Sequence, residues 1–150
     1  MNLNQFSIEA KRGDYYGAPS NPTLEVAHNT DDASVLVAGS VVKVASPVGK
    51  MIGVAKAGVG DVPYGVVIRS FNKAEYGAKE VLGIARAGDI IWMQSTEAEI
   101  TAGSKVEFDA EGLVLTSAGV NKVLGLALTS VPATGGLVAV EIEAPLAIAE

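Results

Sequence analysis

The chain has 150 residues, of which 11 are basic and 17 acidic, giving a net charge of -6; 49% are hydrophobic, 5% are aromatic and none is cysteine. A surplus of acid argues against an electrostatic grip on nucleic acid, and the absence of cysteine excludes disulfides, thiol chemistry and Cys-ligated zinc. This length supports one core, and an interior rich in valine, alanine and glycine suits a pleated sheet.

The amino terminus, Met1-Asn2-Leu3-Asn4-Gln5, lacks the basic flank and apolar run of a signal peptide. No stretch approaches the ~20 apolar residues of a membrane span, so no membrane partner is expected. Residues 1–33 read as an extended irregular N-terminal arm, with Gly13, Gly17, Pro19 and Pro22 breaking any helix and aromatic residues at Phe6, Tyr15 and Tyr16. Three readings stand for it: a disordered terminus, a segment folded over its own barrel, or an arm that leaves its domain and touches a neighbour. Asn29-Thr30-Asp31-Asp32 reads as the turn before the first strand.

From Ser34 the chain reads as an all-β domain over 34–150, a small β-barrel or β-tulip. Strands are expected at 34–38, 40–45, 51–56, 64–70, 80–86, 89–94, 104–109, 112–117, 122–129 and 136–143. Ala38-Gly39-Ser40 recurs as Ala102-Gly103-Ser104, each ahead of an alternating strand, which suggests one β unit used twice. A second phrase, aliphatic-Gly-aliphatic-Ala, occurs at Ile52–Ala55, Leu82–Ala85 and Leu124–Ala127, with a looser version at Tyr64-Gly65-Val66-Val67. Glycine there permits a bulge or the close approach of another backbone. Asn72–Lys79 is the best helical segment, and a loop with one helical turn fits it equally.

Ile90-Ile91-Trp92-Met93 breaks the alternation, so both faces of that strand must be covered, either by a central position in the sheet or by a subunit contact through Trp92 or Met93. In Lys105-Val106-Glu107-Phe108-Asp109 the two apolar residues point inward and the three charges outward, followed by a hairpin at Asp109-Ala110-Glu111-Gly112.

Catalytic signatures are wanting. The single histidine, His28, falls in the arm and reads as a solvated or locally bonded loop residue. There is no nucleophile elbow, phosphate loop or dinucleotide fingerprint. The carboxylate pairs read as solvated strand faces. No enzyme, cofactor, metal or small-molecule substrate is expected. Charge is unevenly spread: residues 38–96 hold seven basic and four acidic side chains, and residues 97–150 hold two basic and eight acidic. A basic middle and an acidic last third suit complementary surfaces within one subunit or across a ring of identical ones, with Lys43 and Arg86 as candidate contacts.

The Ala-Gly-Ser-Val-Val-Lys-Val opening, the glycine phrases and the closing Val123–Leu128 and Gly135–Ile142 runs together resemble the structural cement, or capsid decoration, proteins of tailed bacteriophages. That resemblance covers about residues 34–143. It implies a small β-barrel or β-tulip, a homotrimer docked on the outer surface of the expanded icosahedral head, with the major capsid protein as partner and synthesis in the bacterial host cytoplasm. On that reading Phe6, Tyr15 and Tyr16 are candidates for anchoring the arm, and Trp92 for a subunit contact. Two alternatives are another virion β module, from a tail or fibre, and an accessory barrel that binds a ligand through its acidic loops.

Overall fold

The computed structural model describes residues 9–17, 23–29, 34–70 and 73–143. Among them there is no helix, and twelve strands carry the fold: β1 (Leu24–His28), β2 (Leu36–Val37), β3 (Val41–Val48), β4 (Met51–Lys56), β5 (Gly65–Val67), β6 (Glu75–Tyr76), β7 (Val81–Ala85), β8 (Ile90–Gln94), β9 (Lys105–Phe108), β10 (Val114–Thr116), β11 (Gly125–Ala127) and β12 (Leu137–Ile142). Five strands close into a barrel in the order β1-β4-β3-β5-β7; five more form a sheet in the order β10-β9-β11-β12-β8, and β2 pairs with β6. The second sheet is also rolled up, because Ser95 bridges Val114 in parallel and Thr96 N–H donates to Val114 O at 3.0 Å.

Each of the ten strands expected from alternation and turn spacing has a counterpart, shorter by a residue or more in most cases. Two elements differ. The segment with the best helical pattern, Asn72–Lys79, holds β6 instead, whose Tyr76 is buried and pairs with Leu36 as a plug for the first barrel. The expected arm contributes β1, antiparallel to β7 and parallel to β4, so the barrel begins before residue 34. Val26-Ala27-His28 is covered on both faces, which removes the alternation that marks a half-exposed strand.

The second barrel repeats the first, strand for strand. β3, β4, β5, β7 and β1 correspond in pairing and direction to β9, β10, β11, β12 and β8. Val42 faces Gly65 as Val106 faces Gly125, and Val26 faces Leu82 as Met93 faces Val138. The two Ala-Gly-Ser turns anchor this equivalence. Gly39 N–H donates to Val67 O at 2.7 Å and Gly103 N–H to Ala127 O at 2.8 Å, while Ser40 O and Ser104 O each accept from those strands at 2.9 Å. Both glycines hold the left-handed backbone, with φ of 90° and 93°. The Ile100–Val131 bridge plugs the second barrel as Leu36–Tyr76 plugs the first.

The aliphatic-Gly-aliphatic-Ala phrases do not follow this register. They fall on β4, β7 and β11, and the true counterpart of β11 is the looser Tyr64-Gly65-Val66-Val67. What they share is crowding: a Cβ on Gly53 would overlap Ser46 O, and one on Gly125 would overlap Glu141 O.

The barrels are held side to end. Val42, Val67 and Ile84 fill the first barrel, while Val41, Val66 and Ala85, one position away on the opposite face, join the core cluster of the second barrel. Ile91, Phe108, Leu124 and Ile142 form the end of the second barrel in that shared core. Its hairpin reaches across, with Lys56 Nζ 3.1 Å from Glu111 Oε2 and Gly112 against the Ser40 backbone.

Candidate functional site

Among the described residues, no group of three or more His, Asp or Glu side chains is placed to hold a metal ion. His28 is not solvated. It is buried in β1, and its Nδ1 lies 3.2 Å from both Tyr76 O and Gly77 O, residues 48 and 49 positions away, so the ring fastens β1 to the β6–β7 turn. Glu107, expected on a solvent face, is only 5% exposed. Its carboxylate accepts from Asn121 Nδ2 at 3.0 Å and from Ala118 N–H at 3.3 Å, which organises the loop before β11. Asp109 Oδ1 accepts from Glu111 N–H and Leu113 N–H and shapes the hairpin in which Gly112 takes φ 74°. These acids are engaged in holding turns.

The residues singled out for contacts fall into two groups, with Phe6 outside the described residues. Tyr15, Tyr16 and Trp92 come together where the N-terminal segment lies along β8. Gly13 N–H donates to Trp92 O, Trp92 N–H to Asp14 O and Tyr16 N–H to Ile90 O, each at 2.8 Å. Away from the Ser95–Val114 bridge, the Ile90–Trp92 part of β8 is thus a sheet edge covered by its own chain, the reading in which the segment folds over its own barrel. Tyr16 is 48% exposed and its ring centroid lies 5.4 Å from that of Trp92, tilted by 52°. Tyr15 packs on the core, its hydroxyl 3.3 Å from Thr23 Oγ1, and burial pushes that hydroxyl's pKa up. Met93, one of two candidates for a subunit contact, is buried inside the second barrel, because strand alternation turns it inward beside Ile91.

Lys43 and Arg86 meet around Tyr64. Lys43 Nζ lies 2.9 Å from Asp61 Oδ2, which also accepts Gly58 N–H at 2.7 Å; the Gly58 bond first, and then Lys43, hold the Asp61 carboxyl below its ordinary value. Lys43, Val44, Asp61, Val62, Pro63 and Tyr64 line an open depression of ≈ 310 Å³. The Arg86 guanidinium lies 4.3 Å from the centre of the Tyr64 ring. Val44 and Val62 are 59% and 54% exposed, so apolar and charged side chains share one accessible surface. Val44 and Tyr64 were missed in the sequence. The Ala-Gly-Ser register sets Val44 opposite Phe108, but that Phe108 and Leu124 are buried while Val44 and Tyr64 stay accessible is visible only in the structure.

Arg12 was also missed. Its side chain runs over Gly39, where a Cβ would overlap Arg12 Cγ, and Nη2 donates to Glu111 O at 2.8 Å. Burial lowers its pKa, opposed by the nearby charges of Asp109 and Glu111. It joins the N-terminal segment, the first barrel's turn and the second barrel's hairpin. Arg69 adds a further tie, donating its N–H to Gly13 O at 2.9 Å and placing Nε 3.7 Å from Asp14 Oδ1.

Comparison with known proteins agrees with this architecture. The chain is similar in structure to the N base of the head fibre gp8.5 of bacteriophage phi29, with a TM-score of 0.58 and 13% identity over 81% of this chain and 95% of that one. No curated protein matches it in sequence. Residues 10–143 match the family described as structural cement protein (E217 gp24/Pam3 gp6), so this all-β chain, a closed barrel followed by a rolled five-stranded sheet, belongs to the phage structural cement family.

Proposed function

We propose that the protein binds the outer surface of the expanded icosahedral head, bridges adjacent capsomers through the major capsid protein, and stabilises the shell as a homotrimer. Membership of the cement family over residues 10–143 carries this reading. The fold supports it: Glu107 and Asp109 hold turns, and Val44, Val62 and Tyr16 present apolar surface to solvent. Each bound copy favours the assembled shell by mass action, and a trimer multiplies modest contacts through valency. Tyr16 with Trp92, and the depression beside Tyr64, are the surfaces assigned to contacts, and Phe6 is assigned to anchoring the chain on its partner. Synthesis takes place in the host cytoplasm, ahead of docking.

Co-sedimentation with mature, undecorated heads tests this. The expected result is saturable binding at a fixed ratio to the capsid protein; no bound protein at micromolar concentration would refute it. The likeness to a head-fibre base favours a second reading, a module that seats a fibre on the head. Stoichiometry separates the two, since a cement fills a whole class of equivalent seams and a fibre base fills few.

A further inference from the structure

The end of the first barrel that corresponds to the buried end of the second lies open. We propose that it docks a second copy of this chain, against the outer side of that copy's second barrel, rebuilding between subunits the contact that joins the two barrels within one. This rests on the reading that the protein works as an oligomer and names the surfaces that build it.

The internal repeat points to this contact. Within the chain, Ile91, Phe108, Leu124 and Ile142 at one end of the second barrel are buried in the core shared with the side of the first. By strand register, their counterparts on the first barrel are Leu24, Val44, Tyr64 and Arg86. That end stays accessible: Val44 is exposed, Tyr64 and Arg86 are partly so, and the ≈ 310 Å³ depression lies there. The receiving side has a counterpart too. Val41, Val66 and Ala85 are buried on the first barrel, whereas Lys105, Leu126 and Glu141 stand at the matching positions of the second with solvent access.

The turns behave in the same way. The Gly39 turn is buried beneath Arg12 and the Gly112 hairpin, whereas the Gly103 turn is exposed, with nothing within 4 Å of the position a Cβ would take. The β3–β4 hairpin, counterpart of the Gly112 hairpin, is similarly bare at Gly49. The strand faces and both turns of the internal contact thus have accessible equivalents.

Charge selects a second copy as the occupant. Where the internal contact sets Ile142 in a core with Ala85 and Val41, the open surfaces carry Arg86 on one and Glu141 with Lys105 on the other. Asp61, on the rim of the depression and already paired with Lys43 through Oδ2, leaves one oxygen, Oδ1, for Lys105 to share. The partly exposed Arg86 guanidinium, stacked on Tyr64, is the cation that an incoming carboxylate would meet. Because the two surfaces differ, the contact is heterologous, and in the proposed homotrimer it would close into a ring. Three copies then set six barrels in one ring.

Charge exchange with sedimentation velocity tests the interface. Arg86→Glu and Glu141→Arg are each expected to weaken self-association on the order of tenfold, and the double exchange to restore it. Lys105→Glu, at an exposed strand position, weakens it as a second check that does not disturb the Tyr64 stack. Circular dichroism melts confirm that each variant folds. A wild-type chain that sediments as a monomer, or exchanges that leave the oligomer unchanged, would overturn the interface. Head binding by wild-type protein with silent exchanges removes this interface and leaves the cement reading intact. An oligomer that responds as expected but fails to bind heads does the reverse.

Discussion

Gly39 and Gly103 are the same turn residue in two settings, which makes them each other's control. Both hold φ near 90°, where an L side chain is strained by roughly 1–2 kcal/mol. Only Gly39 is also covered, by the Arg12 side chain. Gly103→Ala is therefore expected to cost about 1–2 kcal/mol in urea unfolding and Gly39→Ala clearly more; equal costs would show that Arg12 does not pack on the turn. Glu107 makes a parallel case among the acids. Glu107→Ala removes the buried carboxylate that holds Ala118 N–H and Asn121 Nδ2, and a loss of about 1.5–3 kcal/mol is expected by the same assay. Asp61 gives a pH test. Its folded pKa is depressed, so the clasp with Gly58 and Lys43 is present above the unfolded value and is lost as pH falls through the folded one. An NMR titration should place its midpoint below 3.8. Lys43→Ala should raise that midpoint while the Gly58 bond keeps it from rising the whole way.

At the level of elements, the N-terminal segment acts as the missing neighbour of β8. Gly13, at φ 90°, lies so close to Ala38 that a Cβ would stand 2.7 Å from the Ala38 Cβ. Gly13→Ala is expected to lift the segment, speeding hydrogen exchange at the Trp92 amide and shifting Trp92 emission to the red, with β3–β4 protection unchanged. Unaltered Trp92 exchange would show that β8 is protected by something other than Asp14 O. This contact explains what the sequence could and could not show. Ile90-Ile91-Trp92-Met93 suggested that both faces were covered, whereas only Ile91 and Met93 are buried. Trp92, on the other face, is half-buried beside Tyr16, from a segment more than 70 positions earlier that pairs with the β8 edge through backbone groups, which leave no pattern in side chains. β1 was hidden for a related reason, since its partners β4 and β7 lie far along the chain. Where one face is wet, as in Lys105-Val106-Glu107-Phe108, period-2 alternation located the strand, yet it misplaced Glu107, because burial by the following loop is a tertiary effect.

For the whole molecule, the Ala-Gly-Ser repeat was readable as a duplicated unit, and the structure extends the duplication to every barrel strand and both plugs. Burial differs systematically between the copies. The first barrel has a buried side and an open end; the second has a buried end and an open side. Such a molecule has two unlike exposed surfaces, as a subunit of a closed ring requires. The uneven charge along the chain follows from this, with Arg86 on the open end and Glu141 on the open side, and Lys56–Glu111 joining basic middle to acidic last third inside the subunit. Function then rests on the outside of the barrels, and the claim to test is that this outside grips a phage head. Cryo-electron microscopy of undecorated heads before and after addition of the purified protein measures it most directly. The account predicts added density across the seams between capsomers on the outer surface, large enough for the two barrels of each copy. Heads that show no added density, or density confined to a unique vertex, would contradict it.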